Sequence, residues 1–158
     1  MTILYRCDEY PPARNGGIGT VVKLVAEAMA LRGHKVMVVG DYSNQNQYFE
    51  RITEVNDVRI IRFQKNDFRT IRLMFLKSIL FLLRKIRLQH LVEKISFEIM
   101  KAKQVRLENL MQELISVEKI DIVELVDYQD YLLHSSKGKM KYKKFTVPAV
   151  MRVHGSVS

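Results

Sequence analysis

The chain holds one cysteine, Cys7, and only three prolines and seven glycines among 158 residues. A single cysteine excludes an intramolecular disulfide framework and any cysteine-rich zinc site, and it points to a reducing, cytoplasmic setting. The scarcity of proline and glycine, beside 47% apolar and 27% charged residues, excludes a disordered, collagen-like or low-complexity chain. No internal repeat is visible. Nor is there a G-x-x-x-x-G-K-[ST] loop, which removes P-loop phosphate chemistry. The four histidines are scattered without a spaced carboxylate cluster, so no metal site is expected; His34 and His90 read as surface residues. The opening MTILYRCDEYPP has at most four apolar residues before charge intervenes, unlike a signal peptide. The longest greasy stretch, Leu73–Leu83, is 11 residues with Lys77 inside it, too short to span a bilayer.

The length suits one domain, which at this size buries roughly 70% of its unfolded surface without staples. Short apolar runs at Ile3–Tyr5, Val36–Val39, Arg59–Phe63, Ile122–Val126 and Ala149–Val153 have the length and composition of buried strands. Between the first two, Ile18 to Leu31 places Ile18, Val21, Val22, Val25, Ala28 and Met29 at helical spacing. Gly33 follows where a left-handed turn ends a helix. Strand, helix, strand in that order predicts a parallel sheet. The expected fold is α/β: a Rossmann-like parallel sheet with helices on both faces. Residues 42–58 read as a long irregular loop, 69–118 as two consecutive helices with a break near Gln89–His90, and Ser135–Lys144 as another loop. The chain stops directly after its last strand signal, so residues 1–158 are expected to be a single domain of a longer protein.

Asn15-Gly16-Gly17-Ile18-Gly19-Thr20 precedes the first helix. Glycines there let backbone approach a ligand, and the free N–H groups of a helix start favour an anion such as phosphate. The competing reading is a plain glycine-rich turn that packs helix on sheet. A dinucleotide fingerprint is matched in part: Gly17 and Gly19 begin G-x-G-x-x-G and Asp41 mimics the ribose-binding acid, but Val22 stands at the third glycine position. About ten residues also separate the first strand from Gly16, where that motif needs glycines at once. An NAD-type domain using Gly17, Gly19 and Asp41 is therefore the first alternative.

Pro12-Ala13-Arg14-Asn15-Gly16-Gly17-Ile18-Gly19, followed after a helix by Arg32-Gly33-His34-Lys35-Val36, resembles the opening of family-four GT-B glycosyltransferases. Asp121-Ile122-Val123-Glu124 leading to Asp127-Tyr128, and Val147-Pro148-Ala149-Val150-Met151-Arg152-Val153-His154-Gly155, are similar to later parts of that family's N-terminal domain. The resemblance implies one half of a GT-B fold: the acceptor-side domain of a retaining enzyme that moves a hexose from a nucleotide sugar to a polysaccharide or lipid-linked acceptor without a metal ion or other cofactor. It further implies that Gly16, Gly17 and, in the same loop, Gly19 approach the donor diphosphate. His154 would lie near the transferred sugar, and Asp127 would accept a proton or hydrogen bond from the acceptor hydroxyl. For both there is a plain alternative, a locally satisfied histidine and a capping or loop aspartate. The donor-nucleotide site belongs to a C-terminal domain that nothing here matches, so this piece alone is expected to be inactive.

Net charge is +9, and it is concentrated. Twelve basic and three acidic residues fall between Arg62 and Arg106, and the rest of the chain sums to zero. In the helix expected over 69–88, Ile71, Phe75, Leu76, Ile79, Leu82, Leu83 and Ile86 form an apolar face expected to pack on the sheet. The opposite side mixes Arg69, Arg72, Lys77, Arg84, Lys85 and Arg87 with Leu73, Met74, Leu80, Phe81 and Leu88. Cations among exposed apolar side chains suit an anionic membrane surface; packing on the next helix and a dimer interface are the plainer readings. This points to a peripheral location at the inner face of the cell membrane. Nucleic acid is the rival partner for the charge, but aromatics do not interleave with the cations as stacking platforms require, and none is expected. A basic, non-catalytic adaptor is the second alternative.

Overall fold

The computed structural model describes residues 1–12, 17–42, 50–64, 75, 78–82, 85, 88–126 (backbone alone at Met100) and 144–152. Strands β1 (Thr2–Arg6), β2 (Lys35–Asp41), β3 (Ile52–Val55), β4 (Val58–Phe63), β5 (Ile122–Val126) and β6 (Ala149–Arg152) form a sheet ordered β3-β4-β2-β1-β5-β6. Every neighbouring pair is parallel except β3 with β4. Strands buried on both faces carry near-continuous apolar runs, as in Val36–Val39, all of them buried.

Helix α1 (Gly17–Leu31) covers one face and buries Gly19, Val22, Ala26 and Ala30 against it, with Ile18, Val25 and Met29 at the flank. The stripe is shifted from expectation: Val21 is exposed, and the small Ala26 replaces it in contact with the sheet. The helix ends as the sequence predicts. Gly33, at φ 83°, donates to the Ala30 carbonyl at 2.8 Å while His34 donates to Met29 at 3.2 Å, the paired bonds of a left-handed cap.

The other face is covered by helix α2 (Gln89–Glu118), through Leu107, Met111 and Ile115 on Leu4, Met37, Val39 and Val123. Its start coincides with the expected break near Gln89–His90. Glu118 binds Lys35 at 2.9 Å and Arg59 at 2.8 Å, and these two cations, with the Lys35 hydrogen bond foremost, hold its carboxyl below the usual carboxylate range. Lys35 opens β2 and Arg59 is the second residue of β4, so α2 ends at the amino edge of the sheet. Lys103 meets Asp41, the last residue of β2, at 3.8 Å. Residues 103–118 thus run antiparallel to β2 across the sheet, and the preceding turns, at 1.5 Å per residue, project about 20 Å past its carboxyl edge.

Two expectations need correction. Residues 42–58 are not all irregular, since β3 pairs antiparallel with β4 through a two-residue turn at Asn56 (φ 51°) and Asp57 (φ 61°), a conformation that Asn and Asp tolerate. The expected apolar face of the basic segment also departs from expectation at two of its described residues: Phe75 is 67% exposed and Leu82 58%, so neither packs on the sheet, while Ile79 is half-buried. The segment is helical at residues 75, 78–82 and 85. No helix among the described residues is long and apolar enough to cross a membrane.

Candidate active site

From β1 the chain moves outward to β2 and β4, then returns through α2 to β5 on the other side of β1. Strand order therefore reverses between β1 and β5, and the crevice outside the carboxyl ends there is where open α/β sheets bind ligands. The loop leaving β1 enters that region and is pinned on several sides. Cys7 donates its N–H to the Val39 carbonyl at 2.9 Å. Asp41 donates its N–H to Asp8 Oδ1 at 2.7 Å, and the Tyr42 hydroxyl donates to the Tyr10 carbonyl at 2.6 Å. Arg62 lies over the Tyr42 ring at 5.6 Å and bonds Thr53 Oγ1 at 2.7 Å. Burial pushes the Tyr42 phenol well up and the Tyr10 phenol up to about 12, so both stay protonated at neutral pH.

Two glycines make this pinning sterically possible. A Cβ at Gly19 would overlap the Glu9 carbonyl oxygen and lie 2.6 Å from its carbon. One at Gly40 would overlap the Cys7 carbonyl oxygen and lie 2.9 Å from Tyr42 Cε2. The loop is thus wedged between the first turn of α1 and the end of β2. Gly17 differs: it is exposed, with no atom within 4 Å of a Cβ placed there. At Gly19 the packing reading of the glycine loop accounts for the residue; at Gly17, where the unbonded N–H groups of α1 begin, it does not.

The remaining expected residues are partly beyond view. Gly16, Asp127 and His154 lie outside the described residues, as do Arg69, Arg72, Lys77, Arg84 and Arg87. By chain order Asp127 follows Val126, the last residue of β5, and His154 comes two residues after Arg152, the last of β6. Val126 and Arg152 are register partners. Of the membrane set, Phe81 is 75% exposed and Lys85 is exposed. Asp41, the supposed ribose acid, has its carboxylate against Lys103. No His, Cys, Asp or Glu cluster fit for a metal occurs among the described residues.

One grouping escaped the sequence reading. Glu124, in the middle of β5, pairs across the sheet with Tyr5 on one side and Val150 on the other. Arg152 donates from Nε to Glu124 Oε1 at 2.6 Å, a bond that raises the Arg152 pKa further. Burial, then the Glu124 charge, pushes the Tyr5 phenol up to about 12. The available signal was an acid inside the apolar run Ile122–Val126, a place that demands a cationic partner.

The chain matches the starch synthase catalytic domain family over residues 2–156. None of the curated proteins compared with it matches. With nearly the whole length covered, and a parallel sheet of the kind that makes half of a GT-B fold, the chain belongs to the starch synthase catalytic domain family and is a glycosyltransferase domain.

Proposed function

We propose that this domain is the N-terminal, acceptor-side half of a retaining glycosyltransferase that moves a hexose from a nucleotide sugar to a polysaccharide or lipid-linked acceptor. The observation that carries the reading is the open start of α1 at Gly17, delivered to the carboxyl edge by a pinned loop in a chain of this family. Breaking a glycosyl–phosphate bond leaves negative charge on the diphosphate, and fixed N–H donors at a helix start stabilise it as it forms. Gly16 and Gly17 bring those donors close, and Gly19 sets their position by letting Glu9 pack beneath. The reaction then needs no metal or cofactor. His154, following β6, positions a sugar hydroxyl or the departing phosphate, and Asp127, following β5, receives the acceptor hydroxyl's hydrogen bond. A second domain binds the donor nucleotide, so the 158 residues alone do not catalyse transfer. The spacing of Gly16-Gly17, Arg32-Gly33-His34 and Pro148 to Gly155 supports the finer, family-four-like placement.

The test is stereochemical. The full-length enzyme, given a nucleotide sugar and an acceptor glycan, should yield product whose anomeric configuration by proton NMR equals the donor's. An inverted product would overturn the reading.

The basic segment docks the enzyme on the cytoplasmic face of the membrane, beside its lipid-linked acceptor. Exposed Phe75, Phe81 and Leu82 next to Lys85 support this, since apolar insertion and about 1 kcal/mol per cation near an anionic leaflet combine. Anionic vesicles should co-float with the protein, and replacing Arg84, Lys85 and Arg87 together by Glu should abolish flotation. Equal flotation of the triple variant would remove the docking role, and a shift of oligonucleotides without vesicle binding would replace the membrane by nucleic acid.

A further inference from the structure

We propose that Arg152 is an oxyanion-binding residue of the substrate site, with Glu124 as its positioning residue. Arg152 closes β6 on the carboxyl edge, beside the crevice between β1 and β5 and two residues before His154. Its Nε is tied to Glu124 Oε1 at 2.6 Å, and Glu124 is its sole partner among the described residues. A guanidinium held through Nε keeps its two Nη groups for another acceptor, and that fork matches the paired oxygens of a phosphoryl or carboxylate group. A third of the Arg152 side chain (33%) remains exposed, against 15% for Glu124. The carboxylate is sunk and the cation reaches outward.

The surroundings agree. Glu124 shares a sheet face with Tyr5 and Val126, which is the face α1 covers; Val126 is buried there in the same cluster as α1, and exposure begins at β6. Val150, the register partner of Glu124, is 48% exposed there. A pair serving the sheet alone gains little from an outward fork, whereas one facing a crevice presents a preset cation. Ligand identity rests on the glycosyltransferase reading: the oxyanion is either the donor's diphosphate or an acidic group on the acceptor sugar.

The experiment is an NMR titration of the ¹⁵N-labelled 158-residue chain, following the Arg152 Nε–Hε resonance with inorganic pyrophosphate in one arm and glucuronate in the other. At least one should move that resonance saturably. A pyrophosphate response alone assigns the site to the donor, and a glucuronate response alone assigns it to an acidic acceptor. Arg152→Gln combined with Glu124→Gln replaces the ion pair by an amide pair and should weaken binding about tenfold or more, with the fold intact by far-UV circular dichroism. If that variant does not fold, Arg152→Lys, which keeps the charge and loses the fork, should still weaken binding several-fold. A resonance that neither anion moves, or variants that bind as tightly as the parent, would overturn the proposal. Failure of the glycosyltransferase reading would appear instead as absent transfer by the full-length enzyme, with the titration unchanged.

Discussion

Gly19→Ala should destabilise the domain by about 2 kcal/mol, measured by urea unfolding, while Gly17→Ala two residues earlier should be neutral or mildly stabilising. Both positions lie in the first turn of α1, where alanine's gain in helix propensity over glycine is at most the ~1 kcal/mol of a helix interior. At Gly17 the added methyl meets nothing, so that gain is uncovered. At Gly19 it would overlap the Glu9 carbonyl oxygen and approach the carbonyl carbon to 2.6 Å. Neither atom is the yielding end of a side chain. Relief requires moving the loop off α1, and overpacking of that kind costs roughly 1–3 kcal/mol, occasionally more. The glycines also separate by function. If the start of α1 faces a diphosphate, Gly17→Ala should raise the full-length enzyme's KM for donor with stability unharmed. A Gly19→Ala protein as stable as the parent would show that the loop is not wedged there.

What could be read in advance follows from burial. The central strands are enclosed on both faces, so their apolar runs announced them; Ile122–Val126 was placed to the residue. Strand β3 was missed because it is a four-residue edge strand, Ile52–Val55, with exposed Ile52, Glu54 and Val55, and an edge needs little apolar patterning. Its one cue was Asn56-Asp57 between two valines. In the basic segment the departure is at Phe75 and Leu82, expected on the sheet and exposed instead. Periodicity shows that a helix has an apolar face but not which of its residues meet the sheet. For the site, chain order alone placed Asp127 and His154 after β5 and β6, whereas the Glu124–Arg152 pair depends on registering two strands some 28 residues apart, which no local pattern reports.

Gly40→Ala should cost about 2–3 kcal/mol, and its effect should overlap with that of Gly19→Ala. Gly40 lies in β2, buried, with the Cys7 carbonyl directly over it and Tyr42 Cε2 2.9 Å from where a Cβ would stand. Alanine there must push away the same loop that Glu9 holds against Gly19. It would also disturb the Cys7-to-Val39 hydrogen bond and the Tyr42 contact to Tyr10. Little of the cost returns as strand propensity, because packing dominates at a central position. The two glycines lie on opposite sides of one short segment. Once either methyl has displaced it, the other has less left to disrupt. The double variant should therefore be less destabilised than the sum of the singles by at least 0.5 kcal/mol, the scale at which contacting sites couple. Strict additivity in urea unfolding would mean that the loop's two anchorages move independently. In that case the Gly17 end of α1 would not be set by the same element that closes β2.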